Sequence, residues 1–217
     1  MLTERAEDIL DLLVREYIQT AEPISSEHIA RRMHRGVSPA TVRNIFSQLT
    51  DEGFIEQPHT SGGRVPKTRA YRFFVDRLLD EDVPQPFIQK MRGLLDDIHT
   101  LQDEMARRFH VLSGVLGAAP IGFDELFQEP EFADRQSIRD LGTFLDSLDR
   151  YDRALGREDF NIMIGDENDV QPISELTIVM TRTPTGQTFF ITGPKRMHYD
   201  SVVRTMKVWK TKTKTRT

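Results

Sequence analysis

Apolar residues at Ala6, Ile9, Leu10, Leu13, Val14 and Tyr17 recur at helical spacing. They predict a first helix that opens at Thr3-Glu4 and runs to about Thr20. Pro23 ends the connection, and Ser25 or Ser26 can cap a short second helix reaching Arg32. Gly36 closes the next turn, Ser38 caps a third helix with Pro39 at its first position, and Gly53 supplies a left-handed stop. On that third helix Val42, Ile45, Phe46 and Leu49 share the face expected in the core. Ala40, Thr41, Arg43, Asn44, Ser47 and Gln48 fall on the others.

After Gly53 the pattern changes period. "FIEQ", a turn-rich "PHTSGGR" and "VPK" read as two short strands joined by a basic loop, which with the three helices outlines a winged helix-turn-helix. Ala70 to Leu79 is an aromatic-rich helix, with Tyr71, Phe73 and Phe74 expected in packing rather than as base-stacking platforms. "DEDVPQP" then breaks the chain. Beyond it, Phe87, Met91, Leu94, Ile98, Leu101 and Met105 alternate spacings of four and three, continued less regularly by Phe109, Leu112 and Leu116. This narrow seam on a long helix requires a partner, either its twin in a homodimer or the sheet of its own domain; the homodimer is the expectation.

Farther on, "IRDLGTFLDSLDRYDRAL" predicts one helix with Ile138, Leu141, Leu145, Leu148 and Leu155 inward. "FNIMIG", "LTIVMTR" and "TFFITG" predict strands, the last two joined by a hairpin turn at "TPTGQ", and "SVVRTMKVW" a closing helix. The expected fold is therefore α+β: an N-terminal winged helix-turn-helix over 1–79, a linker over 80–86, and a long helix with an antiparallel sheet and flanking helices over 87–210. The basic "KTKTKTRT" run, with 211–217 as its separate tail, is expected to be solvated.

Charge refines this division. The 217 residues carry a formal net charge of −5, but unevenly: 11 Lys+Arg stand against 11 Asp+Glu over 1–79, 5 against 15 over 124–175, and 9 against 1 over 176–217. Arg31, Arg32, Arg35 and Arg43 lie in an acid-free stretch from His28 to Thr50, and Arg64, Lys67, Arg69 and Arg72 form a second basic group. Both could face phosphate while the rest of the chain stays acidic. The absence of cysteine excludes disulfides, thiolate zinc sites and cysteine nucleophiles. No apolar run approaches bilayer length and the N-terminus lacks secretory character, so no membrane partner and a cytoplasmic location are expected. The six histidines include no pair at i, i+4, no Ser-His-Asp grouping has supporting spacing, and Gly193-Pro194-Lys195 is no phosphate loop. "GDEND" reads as a solvated loop before a hard-cation site. Neither an enzyme, a metal nor a cofactor is expected.

Arg43 and Asn44 are the first candidates to read bases or phosphates, supported by Ala40, Thr41, Ser47 and Gln48, since Asn, Gln and Arg can each make two hydrogen bonds to a base edge in the major groove. Ser38 has a second use as the helix cap. In the wing, Thr60, Ser61, Gly62 and Gly63 form the tip, Arg64 and Lys67 reach for backbone, and His59 either braces the wing or touches DNA.

"GVSPATVRN", "GFIEQPHTSGGRVPKTRAYRFFVDRLL" and "LTERAEDILDLLVREYIQTAEPISS" closely resemble the N-terminal region of the HrcA family of bacterial heat-inducible transcription repressors. "EPEFAD", "IMIGDEND", "SELTIVMTR" and "ITGPKRMHYDSVV" resemble the C-terminal part of the family's GAF-like dimerisation domain. The resemblance implies a homodimer that binds an inverted-repeat operator in double-stranded DNA and represses chaperone genes, with a GroEL-type chaperonin as a further partner. It also implies a reduced form, because the chain passes from "LSGVLGAAP" almost directly to "DELFQEPEF", where members carry an inserted domain and further strands. Ile45-Phe46 and Gly62-Gly63 are smaller departures. The alternative is a diverged ligand- or partner-sensing dimer that keeps the scaffold without operator-specific repression; non-specific nucleic-acid binding through wing and tail is a third reading.

Overall fold

The computed structural model describes residues 2–33, 36–58, 63–91, 98–115, 120–155, 160–171, 173–183 and 186–214. The chain divides into two units, Met1–Arg77 and Leu78–Thr217.

In the first unit, helix α1 spans Glu4–Thr20, with the Thr3 hydroxyl accepting from the Ala6 N–H. Ala6, Ile9, Leu10, Leu13 and Val14 are fully buried, as their spacing predicts. Helix α2, Ser26–Arg32, is capped by Ser25. Helix α3, Pro39–Asp51, is capped by Ser38 and buries Val42, Phe46 and Leu49. Gly53 then turns with φ +75°, a conformation a side chain resists. Strand β1, Ile55–Glu56, pairs antiparallel with β2, Val65–Pro66. Ile24, between α1 and α2, adds a bridge to Arg64, with backbone hydrogen bonds of 2.9 Å in both directions. The wing is thereby stitched to the start of the helix-turn-helix. Helix α4, Thr68–Asp80, buries Tyr71, Phe74 and Val75, while Phe73 meets Phe54 edge-on at 6.3 Å. The aromatics of this segment serve packing.

The second unit is built on a four-stranded antiparallel sheet, order β3-β6-β5-β4, from Leu112–Val115 (β3), Phe160–Ile164 (β4), Leu176–Arg182 (β5) and Thr188–Pro194 (β6). Strand alternation sends Leu112, Phe190, Ile178, Met180 and Met163 to one face. There they meet Phe144 of α8 (Arg135–Asp146) and Tyr151 and Leu155 of α9 (Leu148–Leu155). Phe189 and Thr177 point the other way, toward α10 (Tyr199–Lys214), where Trp209 lies 4.8 Å from Phe189 and the Tyr199 hydroxyl is 2.6 Å from that of Thr177. Gly114 is required by this packing: a Cβ there would sit 2.6 Å from the ring of Phe190, which continues to Phe144 at 5.3 Å. Helices α5 (Gln85–Met91), α6 (Ile98–Phe109) and α7 (Phe123–Leu126) complete the described α-helices.

Several expectations are corrected. The long helix ends at Phe109, because His110 turns with φ +52° and Leu112 begins a strand the sequence pattern concealed. Leu101, Met105 and Phe109 are buried within this chain, α6 packing on β3, α7 and α10; of the two partners open to the seam, its own domain takes these positions. Leu94 and Leu116 lie outside the described residues. The helix expected from Ile138 to Leu155 is two, broken at Ser147; Leu141 and Leu155 are buried and Leu145 and Leu148 pack against the core as expected, while Phe144 and Tyr151 join that core and Ile138 is left 48% exposed. The backbone of α10 runs helically to Lys214, into the segment expected as tail. Ile45, expected in the core, is only half-buried.

Candidate nucleic-acid interface

One face of α3 is locked into the first unit by Val42, Phe46 and Leu49, which fixes what the opposite face presents. Ala40, Arg43, Asn44 and Ser47 are exposed at spacings of three, one and three, a single stripe along the helix, with Thr41 and Gln48 half-buried at its flanks. Ser38 spends its hydroxyl at the helix start, accepting from the Thr41 N–H at 3.1 Å with the Thr41 hydroxyl 3.0 Å away. Gln48 donates to Glu52 at 2.9 Å. Asn44 and Ser47 have no side-chain partner among the described residues. Ile45 instead lines a cleft of about 460 Å³ with Thr3, Asp8, Met33, Val37 and Thr41.

The wing is placed in part. His59, Thr60, Ser61 and Gly62 lie outside the described residues. Gly63 belongs to the wing's base rather than its tip: a Cβ on it would stand 2.6 Å from that of Pro23, so only glycine lets the two segments approach. Arg64 is half-buried and folds back, its Nη1 donating to the Gly63 carbonyl at 3.3 Å. Lys67 is exposed, 3.8 Å from Glu56.

The stretch without acids from His28 to Thr50 is not free of acids in space. Glu16 of α1 is buried and receives Arg32 through Nε at 2.9 Å and Nη2 at 2.8 Å, and His28 through Nε2 at 2.6 Å. Burial would raise the Glu16 carboxyl, but the hydrogen bonds from His28 and Arg32 outweigh it and hold the group below its ordinary value. Glu27 of α2 accepts from Arg43 Nη1 at 2.9 Å. Its own backbone N–H and the Ser26 hydroxyl hold its carboxyl low. In the second basic group, the Arg69 guanidinium lies 4.3 Å over the Phe54 ring and donates to the Glu52 carbonyl, and Arg72 is 3.5 Å from Asp76. Much of the apparent basic patch is thus tied to carboxylates, carbonyls and a ring. Sequence reading missed Glu16 and Glu27 because each meets its arginine 16 positions away, beyond any local pattern.

In the second unit "GDEND" has a structural use. Asn168 is buried, donates to the Tyr151 hydroxyl and accepts from the N–H groups of Val170 at 3.1 Å and Gln171 at 3.3 Å. Burial of Tyr151 pushes its hydroxyl up to about 12. Among the described residues no group of three or more His, Asp or Glu is placed to hold a metal, and no helix is long and apolar enough to cross a membrane.

A family model described as "Winged helix-turn-helix transcription repressor, HrcA DNA-binding" matches residues 1–77, and one described as "HrcA protein C terminal domain" matches 76–203. The chain belongs to the HrcA family. It is 43% identical over 116 residues, 53% of its length, to the heat-inducible transcription repressor HrcA of Streptomyces albus G, and 48% identical over 83 residues, 38% of its length, to that of Desulforudis audaxviator (strain MP104C). These matches span 34% and 24% of the two relatives. A crystal structure of a hypothetical protein, 16% identical, superposes with a TM-score of 0.77, covering 99% of this chain and 97% of that one. That likeness supports the α+β fold.

Proposed function

We propose that this chain is a DNA-binding transcriptional repressor, acting as a homodimer on an inverted repeat with one winged helix per half-site. The observation that carries this reading is the exposed stripe Ala40, Arg43, Asn44 and Ser47, on a helix whose other face is fixed in the core of an HrcA-family winged helix. Small residues near the start of α3 allow close approach to a groove floor, and Arg43 and Asn44 then read base edges, each good two-bonded contact contributing roughly 1–3 kcal/mol of discrimination. Thr41, Ser47 and Gln48 support them, with Ser38 mainly the cap. Lys67, Arg64 and the wing segment at His59, Thr60, Ser61 and Gly62 supply backbone contacts, with Gly63 seating the base of the wing on Pro23. Residues 80–86 link this domain to a GAF-like dimerisation domain over 87–210. The relatives' names support heat-inducible repression; chaperone genes as the regulated targets, a GroEL-type chaperonin as a further partner and a cytoplasmic location belong to the proposal through the resemblance to HrcA.

The test is a gel shift of the full chain on duplexes selected from a randomised inverted-repeat library, beside a scrambled duplex, at moderate salt. Selective retardation with two chains per duplex is the expected result. No preference over scrambled DNA overturns the repressor reading, and one chain per duplex overturns the two-fold arrangement.

A further inference from the structure

Glu27 is the second residue of α2, behind the Ser25 cap. The Ser26 hydroxyl donates to its Oε2 at 3.1 Å, and its Oε1 accepts from Arg43 Nη1 at 2.9 Å. This pair bridges α2 to α3, and its side chains are 52% and 59% exposed, so burial does not force it. Nε and Nη2 of Arg43 have no partner among the described residues. A phosphate can be met by any guanidinium donor, whereas a guanine edge requires two donors presented together.

We propose that Glu27 is a specificity-determining positioning residue: it holds one end of the Arg43 guanidinium, leaves the remaining donors for a base edge, and opposes capture of the arginine by a phosphate. The inference rests on the proposed reading of α3 as the groove-binding helix. The two binding modes respond differently to the carboxylate. At a non-specific site, Arg43 gains only a phosphate, and that gain is offset by loss of the ion pair and by the negative charge of Glu27 left beside the DNA backbone. At the cognate site, Arg43 reads its base without releasing Glu27.

Glu27→Gln keeps the shape and the Ser26 contact while removing the charge. Dissociation constants of the full chain are measured across a salt series on the selected inverted-repeat duplex and on a scrambled duplex of equal length. The expected result is tighter binding to scrambled DNA, a salt slope steeper by about one, and a specificity ratio lower by at least about fivefold. In an Arg43→Gln background the same substitution changes the ratio by less than about twofold. An unchanged ratio in the wild-type background, or an equal fall without Arg43, overturns the role of Glu27. A wild-type chain that enriches no duplex overturns the DNA-binding reading and this inference with it; a selective wild type with an equally selective Glu27→Gln variant overturns this inference alone. Matching thermal midpoints for the two proteins separate these outcomes from misfolding.

Discussion

Two charge clusters, one in each unit, are built with opposite polarity. In the first unit the acid is inside: the Glu16 side chain is 7% exposed and its partner Arg32 58%. In the second the base is inside: Arg196 of the β6–α10 connection is 9% exposed, and Glu129 and Glu131, which hold it, are 16% and 26% exposed. Arg196 Nη2 reaches Glu131 at 3.0 Å and also meets Glu129, to which His110 adds a contact at 3.2 Å. The same type of pair therefore turns its basic member to solvent in the first unit, whereas in the second the basic member is the most covered and the acidic members are only slightly more exposed. Where net charge is near balance, as over 1–79, the sign of the surface depends on which partner is buried.

Removing each buried member is the sharpest way to break this comparison. Arg196→Met leaves two carboxylates side by side without their cation, and loss of roughly 3–5 kcal/mol is expected. Trp209 is the chain's sole tryptophan and packs in this unit, so its fluorescence during denaturant unfolding follows the effect. A loss below about 1 kcal/mol, the range of an exposed pair, breaks the comparison on this side.

Glu16→Gln is expected to cost about 1.5–3 kcal/mol, since it removes charge-assisted hydrogen bonds from two partners. Amide exchange in α1 and α2 reports it separately from the second unit. The Glu16 carboxyl is held below its ordinary value of 4.5 in the folded chain, so its contribution is present above that value and is lost as pH falls through the lower folded one. The wild-type first unit should accordingly weaken on acidification more than the Glu16→Gln variant; parallel acid limbs would show that the network contributes nothing through that carboxylate.

Arg32→Gln is the smallest of the three, at about 1–1.5 kcal/mol: it leaves the buried Glu16 carboxylate without its guanidinium, but His28 stays bonded to that carboxylate at 2.6 Å and limits the loss. A larger loss from Arg32→Gln than from Glu16→Gln would mean that His28 does not hold the buried carboxylate once the guanidinium is gone.

Local chemistry made much of the fold legible. Thr3, Ser25, Ser38, Pro39 and Gly53 mark helix ends through capping and backbone preference, which depend on neighbours a few positions away, and α1, α2 and α3 begin where Thr3, Ser25 and Ser38 say. The strands β4, β5 and β6 were equally readable from their apolar runs. Strand β3 was not, because Leu112 continues a helical seam and only the turn at His110 and pairing with β6 make it a strand. Ser147 broke a helix whose apolar spacing ran on without interruption, and the aromatic pair Phe144 and Tyr151 replaced Ile138 in the core.

In the candidate interface, helical periodicity alone separated Val42, Phe46 and Leu49 from Ala40, Arg43, Asn44 and Ser47, because a helix repeats its faces regardless of what surrounds it. Tertiary structure decided which charges stay available. Arg32 and Arg43 are engaged by Glu16 and Glu27 across 16 residues, Arg69 lies over Phe54, and Gly63 must accommodate Pro23. Pairing of charges depends on distance through space, which the chain sets only once its helices have packed.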